Sequence, residues 1–272
     1  MSRYQEFLLQ EGIECFASLP ISACKLTRSY LLERIEGFSP KSVLVMLLPY
    51  YVGETKNISV YASSRDYHLY AGELLSELAL RLQEQYDGYR FYGFADHSPI
   101  DERDAAAKAG LGVFGENGLL INERYSSFVF LCEIISDLPP ESFGEVKVLS
   151  PKFCEGCGAC KRACPTGILS GKGDSCLSAV TQKKGTLTEE EQNLILHSGS
   201  AWGCDSCQNA CPYTKRAKEK GTIVTPISFF HEKRMTEISE EVLRAMSPAE
   251  FKERAFSWRG KEPLLRNLKI LK

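Results

Sequence analysis

The sequence predicts an α+β protein with an N-terminal domain of mixed helices and strands, a cysteine-rich segment and a short helical C-terminal segment. In the first half of the chain, short apolar runs alternate with an amphipathic helical pattern. Eight of the 11 cysteines fall between Cys154 and Cys211, and a polar, helical stretch follows Met235. We therefore place the domain boundaries at 1–145, 146–220 and 221–272.

The N-terminal domain is predicted to begin with helices and continue into a buried strand. Residues 1–40 are predicted to be helical, with breaks near Leu19–Pro20 and Gly37–Pro40. The continuous apolar run in 41–51 lies between Ser-Pro on one side and Pro on the other, which is typical of a buried strand. In 66–86, leucines recur at helical spacing, so this stretch is predicted to be an amphipathic helix.

The later elements are shorter. The sequence predicts a strand at Tyr89–Ala95 and an alanine-rich helix at Ile100–Ala109 that Gly110 ends. Two further strands are expected at Leu119–Ile121 and Ser127–Ile135. A helix over 188–197 is predicted to start at Thr188, because Glu191 lies three residues later in a capping-box pattern.

Composition excludes several classes of protein. A net charge of −2 gives no overall attraction to nucleic acid or to acidic membranes, so any such partner must be argued from local patches. The N-terminus lacks the apolar core and small-residue cleavage site of a secretory signal. The longest apolar run, Val43–Leu48, is far too short to span a bilayer. We expect a cytoplasmic protein with no membrane partner.

The cysteine spacing carries the strongest chemical signal. The first half reads CEGCGACKRACP from Cys154, and the second reads CDSCQNACP from Cys204. In a C-x2-C-x2-C-x3-C-P run, three thiolates bind one iron–sulfur cubane and the fourth binds the other. Paired zinc ribbons also use C-x2-C, but they do not need the x3-C-P element. The pattern predicts a bacterial-ferredoxin-like domain with two [4Fe–4S] clusters.

The same spacing assigns the ligands. The first cluster is predicted to bind Cys154, Cys157, Cys160 and Cys211. The second takes Cys164, Cys204 and Cys207 and lacks one ligand, which Cys176 is expected to supply as the remaining cysteine nearby. The three other cysteines, Cys15, Cys24 and Cys132, are interpreted as small buried hydrophobic residues.

About 150 residues precede the cysteine segment and are expected to bind what the clusters reduce. Besides the cysteine pattern, the chain contains the motifs YASSRDYH from Tyr61, FADHSP from Phe94, AGLGVFG from Ala109, SSFVFLCEIISDL from Ser126, CLSAVTQKKG from Cys176 and LLRNL from Leu264. This series of motifs, from about residue 41 to the C-terminus, resembles the epoxyqueuosine reductase family, the cobalamin-dependent iron–sulfur enzymes of tRNA queuosine synthesis.

The resemblance implies that cobalamin lies on the N-terminal domain near the second cluster, and that the clusters supply its electrons. It assigns Asp96 as the acid that protonates the epoxide oxygen, with a pKa raised by desolvation in the cofactor pocket. The cofactor-binding residues that it implies are Tyr61, Asp96, Gly112, Gly115, Ser126, Ser178 and Thr181. Three alternatives stay open: Asp96 as a helix cap, Gly112 and Gly115 as a simple loop, and His68 and His97 as structural residues.

The resemblance also implies partners. They are tRNA or a modified nucleoside as substrate and an external electron donor such as flavodoxin or ferredoxin, with the protein itself a monomer. Family members usually carry a longer N-terminal region and C-terminal helical repeats that hold tRNA, so the chain resembles a short form of the family. Basic side chains near Lys215 and in the C-terminal tail could contact phosphate or form solvated helix faces. The alternatives are a ferredoxin-like electron-transfer or corrinoid-reducing protein for another substrate or partner, and a cluster-stabilised binding module without cobalamin.

Overall fold

A computed structural model describes residues 2–272 and divides the chain into two compact units. The sheet unit comprises residues up to Pro49, His68–Gly156 and Thr225–Ile227. The cysteine unit comprises Tyr50–Tyr67, Cys157–Val224 and Ser228–Lys272. The mixed content of helices and strands confirms the predicted α+β class. The predicted domain boundaries after residues 145 and 220 remain predictions.

The regular elements follow one another in short pieces. In chain order they are α1 (Arg3–Gln10), β1 (Phe16–Pro20), α2 (Tyr30–Glu33), β2 (Ser42–Pro49), α3 (Tyr67–Gln85), β3 (Phe91–Phe94), α4 (Glu102–Lys108), β4 (Val113–Phe114), β5 (Leu120–Ile121), β6 (Val129–Ser136), α5 (Ala159–Ala163), α6 (Leu177–Gln182), α7 (Glu189–Ser198), α8 (Ser206–Asn209), α9 (Pro212–Glu219), α10 (Glu240–Ala245), α11 (Pro248–Lys252) and α12 (Glu262–Ile270).

The sheet unit is built on a four-stranded antiparallel sheet in the order β1-β2-β6-β3. All eight residues of β2 are buried, which confirms the predicted buried strand. The prediction that residues 1–40 are helical was wrong at β1, where Ala17 pairs with Val45 of β2. Pairing with β2, which is distant in sequence, decides the conformation of this short segment, and local helical patterning does not reveal it.

Side chains of the central strands are buried on both faces of the sheet. Val45 and its alternate neighbours on β2 pack with Ala105, Ala106 and Ala107 of α4. Because side chains alternate along a strand, the remaining β2 residues point to the other face. On β3, a Cβ added to Gly93 would lie 2.6 Å from the Cβ of Leu75, so the glycine allows α3 to approach β3 closely.

The cysteine unit consists of short helices around aromatic and aliphatic side chains. Trp202 and Phe256 are both completely buried, and their rings meet edge to face at 6.1 Å. Asn267 of α12, also fully buried, donates to the carbonyl oxygens of Thr181 (2.7 Å) and Ala201 (2.8 Å). The LLRNL motif therefore anchors α12 by satisfying two buried backbone acceptors.

The predicted start of α7 is confirmed. Thr188 Oγ1 accepts from the Glu191 amide at 3.2 Å, and the Glu191 carboxylate accepts from the Thr188 amide at 2.9 Å. Within residues 2–272, we find no helix with the length and apolar content needed to cross a bilayer.

Candidate iron–sulfur and cofactor site

The cysteines of the cysteine unit lie at helix ends and on two packed helices. Cys160 is in α5 and Cys207 is in α8, and these two helices contact each other. Cys176 precedes α6, and Cys211 precedes α9, whose first residue is Pro212. Proline favours this first helical position, so the x3-C-P element places Cys211 at a helix start. None of the 11 cysteines forms a disulfide.

The electrostatics of these thiols shows which of them are neighbours. Burial, as the largest effect, and nearby thiolates at Cys204, Cys176 and Cys160 together raise the pKa of Cys207 to about 12. Burial also raises the pKa of Cys204, with Cys176 again contributing. These neighbouring thiols disfavour ionisation of Cys207, an effect that bound iron would offset, because a metal keeps its thiolate ligands deprotonated.

Cys164 has a different environment. Burial acts to raise its pKa, but backbone N–H groups of Leu169, Thr166 and Gly167 and the hydroxyl of Thr166 (3.6 Å) lower it overall. Donors directed at sulfur stabilise a thiolate and also tune the potential of a cluster bound to it. This position therefore also fits a cluster ligand.

The proximity of Cys176 to Cys204 and Cys207 supports its predicted role as the fourth ligand of the second cluster, although the ligand partition stays a prediction. Cys154 belongs to the sheet unit and precedes Cys157 by three residues. The remaining cysteines behave as small apolar residues. Cys132 is completely buried, and Cys15 and Cys24 pack against the core of the sheet unit.

Asp96 lies just after β3 with a left-handed φ of 65°. For a residue other than glycine this conformation is uncommon and costs energy, and it concentrates at functional sites. The side chain is largely exposed, and its Oδ2 lies 3.6 Å from Nε2 of His68. The helix-cap alternative is wrong, because Asp101 caps α4 by accepting from the Asp104 amide.

The expected direction of the Asp96 pKa is also corrected. Hydrogen bonding to His68 lowers the pKa of Asp96 more than partial desolvation raises it, and the charges of His68, Arg28 and His97 act in the same lowering direction. In this environment the carboxyl is ionised at neutral pH. A proton delivered by Asp96 must therefore be supplied to it from another group.

Gly112, Gly115 and Ser126 lie around the small β4–β5 hairpin and the turn that follows it. A Cβ on Gly112 would lie 2.7 Å from the carbonyl oxygen of Ile121, and one on Gly115 would lie 2.8 Å from Cδ1 of the same residue. Ser126 is fully buried, has a φ of 53°, and its carbonyl accepts from the Asn122 amide. Close packing within the hairpin accounts for both glycines, as the loop alternative expected, and a role toward cobalamin stays a prediction.

Replacing Gly112 by Ala should destabilise the sheet unit. The added methyl would clash with the Ile121 backbone, and overpacking of this kind typically costs about 1–3 kcal/mol. Gly72 in α3 is the matched control, because a Cβ there has no neighbour within 4 Å. Gly72→Ala should instead gain about 0.5–1 kcal/mol from higher helix propensity. Denaturant unfolding of both variants measures the difference, and equal stabilities would contradict it.

The structure joins three predicted residues of the cysteine unit in one hydrogen-bond network. Tyr61 Oη accepts from Nε1 of Trp202 (2.8 Å) and from Nε2 of Gln182 (3.3 Å). The same Gln182 amide donates to Oγ of Ser178 at 2.9 Å. Thr181 Oγ1 donates to the Ser178 carbonyl and accepts from the Gly203 amide, both at 2.9 Å. Thr181 is completely buried and its hydroxyl is held by these two hydrogen bonds, and its predicted contact with cobalamin stays a prediction.

Two acids near Asp96, one buried and one partly buried, were not predicted. Glu133 is completely buried in β6, and Glu102 begins α4 and accepts the Asp96 amide on its Oε1 at 3.2 Å. Glu133 had a detectable signal, because it is a single acid within the apolar run FVFLCEIIS. The sequence gives no such signal for Glu102, because acidic residues are common in the first turn of a helix.

Comparison with known proteins agrees with this description. Residues 37–97 match the family described as "Epoxyqueuosine reductase QueG, DUF1730", and residues 153–214 match a 4Fe-4S double cluster binding domain. The second match contains all eight cysteines of the predicted pattern. The segment is therefore a double [4Fe–4S] domain, as predicted.

Curated relatives carry the same family name. An epoxyqueuosine reductase of Gloeobacter violaceus is 33% identical over 221 residues, covering 78% of this chain and 68% of the relative. That of Listeria monocytogenes is 34% identical over 221 residues, covering 76% of this chain and 54% of the relative. The chain thus spans about half the length of the Listeria relative.

A solved structure of epoxyqueuosine reductase with an epoxyqueuosine-modified tRNA-Tyr stem loop superposes on the chain with a TM-score of 0.75. It is 25% identical in sequence, and the match covers 98% of this chain and 79% of the solved one.

Proposed function

This chain belongs to the epoxyqueuosine reductase family, and we propose that it reduces epoxyqueuosine to queuosine in tRNA, using two [4Fe–4S] clusters and cobalamin. The observation that carries the proposal is the combination of a complete double-cluster segment with an acid, Asp96, held in a left-handed conformation within the family motif FADHSP. The first feature delivers electrons, and the second offers a proton.

The residues present fit both cofactors. The thiols of the cysteine unit form a donor set for iron, as described above. For cobalamin, the exposed Asp96 carboxyl supplies a polar group on the sheet unit. When bound, cobalamin supplies a strongly reducing centre for opening the epoxide.

The chain's own contribution is to hold and move a proton. Asp96, held by the left-handed turn and by His68, is the proposed donor to the oxygen that leaves the epoxide. General acid catalysis of this type contributes about 10²–10⁴-fold to rate. Because His68 stabilises the carboxylate, it also favours the state of Asp96 that remains after proton transfer.

The partners of the reaction belong to the same proposal. The solved relative was captured with a modified tRNA stem loop, which supports tRNA as the substrate class. Exposed basic side chains offer contacts for phosphate, among them Lys215 of α9 and Lys220, which follows the last residue of that helix. We further propose an external flavodoxin or ferredoxin as reductant, a monomeric state and a cytoplasmic location.

Anaerobic reconstitution tests the proposal. The protein should bind iron and sulfide for two clusters, change the absorption spectrum of added cobalamin, and convert epoxyqueuosine-containing tRNA to queuosine-containing tRNA with a chemical reductant. Mass spectrometry of the digested tRNA reports the conversion. Protein that holds both clusters and cobalamin but leaves the modified nucleoside unchanged, in tRNA and free, would exclude this function.

A further inference from the structure

Glu133 is a carboxyl group in an apolar environment. It lies on β6 between Val45 of β2 and Phe94 of β3, on the sheet face that α4 covers, and it is 0% exposed. Its Oε1 accepts the Ser98 hydroxyl, and no donor reaches Oε2 among the residues that the structure describes. A buried carboxylate with an unsatisfied oxygen and no cation is strongly disfavoured, so this group is neutral.

The neighbour of Glu133 is a second carboxyl. Glu102 interacts with Glu133 through its side chain and also accepts the Asp96 amide at 3.2 Å. Two adjacent carboxyls can satisfy each other only if they hold a proton between them. The pair therefore connects a proton buried in the sheet unit with the turn that carries Asp96.

We propose that Glu102 and Glu133 share a proton that reprotonates Asp96 during turnover. The identity of the group that finally receives the proton, the oxygen of the epoxide, rests on the proposed function. Reduction of an epoxide to an alkene breaks both C–O bonds, takes two electrons, and needs two protons to release the oxygen as water. The electrons come from the external reductant through the clusters. The pair passes a proton to the ionised Asp96, directly or through one water, and Asp96 delivers it to the departing oxygen. Solvent then reprotonates the pair, and the second proton follows the same path.

The electrostatic environment agrees with this role. The pKa of Glu102 is raised to about 7, mainly by burial and also by the charge of Asp96. Hydrogen bonds from Glu133 and the Asp96 amide and the charge of Arg28 act in the lowering direction. Burial and the charge of Glu102 raise the pKa of Glu133 well above its usual range. The other ionisable groups that face Glu133 are the thiols of Cys24 and Cys132, whose pKa values burial raises, so they are neutral. Asp96, with a lowered pKa, is the acceptor and the pair is the donor.

Infrared difference spectroscopy tests the shared proton without turnover. The cluster-loaded wild type should show the C=O stretch of a protonated, buried carboxyl that is lost as pH rises through about 7. Glu102→Gln and Glu133→Gln should each abolish this titration, whereas Glu123→Gln, a change at an exposed acid, should leave it intact. Asp96→Asn should lower its midpoint, because the negative charge that raises the pKa of Glu102 is removed. A wild type without this band, or a midpoint unmoved in Asp96→Asn, overturns the inference.

Turnover gives the second readout. Since the protonated pair is the donor, the wild-type rate should be full well below pH 7 and fall as pH rises through about 7. In Glu102→Gln the rate should fall at least about tenfold and this alkaline limb should disappear, while Glu123→Gln keeps both. A Glu102→Gln variant with wild-type rate and pH profile overturns the inference. If the wild type itself does not convert epoxyqueuosine, the proposed function fails, and the infrared titration still decides whether the pair holds a proton coupled to Asp96.

Discussion

Replacing Asp96 by Asn should lower the rate of epoxyqueuosine reduction by about 10²–10⁴-fold, the range that a positioned general acid contributes. Asn has nearly the same shape as Asp, and its oxygen can still accept from His68 Nε2, so the left-handed turn should form. The variant should bind iron and cobalamin as the wild type does. Only the proton donor is removed, so the loss should appear in kcat with little change in KM.

The matched control is Asp87→Asn, because Asp87 is exposed at the turn that precedes β3. Rates are measured with one reductant and one tRNA preparation, and the absorption spectra confirm equal loading of clusters and corrinoid. An Asp96→Asn variant as fast as Asp87→Asn would show that Asp96 donates no proton. That result would favour the alternative of a corrinoid-reducing or electron-transfer protein.

Replacing Cys176 by Ala should remove one cluster and leave the other. Cys176 is exposed before α6 and close to Cys204 and Cys207, where it is expected to complete the second cluster. Iron per protein should fall by about half, because each [4Fe–4S] cluster needs a full set of thiolates. Reduction of epoxyqueuosine should fall to background, because the electron path through the second cluster is lost.

Cys15→Ala provides the comparison for a cysteine outside the pattern. Cys15 packs against the core of the sheet unit, so its replacement should leave iron content and the spectrum of the reduced clusters unchanged. Iron and sulfide analysis with electron paramagnetic resonance of the reduced protein distinguishes the variants. Full iron content in Cys176→Ala would contradict the ligand assignment and require a different fourth ligand.

The cluster ligands could be predicted from sequence because their chemistry fixes both the residue type and the spacing. The buried strand β2 was equally predictable, since its eight-residue run is apolar throughout. By contrast, β1 is short and its conformation depends on pairing with a strand about 25 residues away, which no local pattern encodes. The capping box at Thr188 succeeded because both of its hydrogen bonds are local.

The environment of Asp96 was the part that sequence could not supply. Its motif identified the residue, but the direction of its pKa depends on His68, which lies in α3 and is brought close only by folding. The Glu102–Glu133 pair is hidden for the same reason, because its members come from α4 and β6. The pKa of a side chain depends on the groups that folding places next to it. A sequence can therefore identify the titratable residues, but it does not show which of them has the highest pKa.

The order in which the cysteine unit acquires its contacts has a consequence during protein synthesis. The Tyr61 hydroxyl accepts from Trp202, 141 residues later, and the Asn57 and Ser59 backbones bond to Ala201 and Trp202 at 2.7 Å. Domains generally fold as units while the chain emerges from the ribosome. Residues 50–67 therefore leave the ribosome long before their partners do, and this segment must wait until most of the chain has been translated. The cysteine unit can therefore be completed only after Trp202 has been translated.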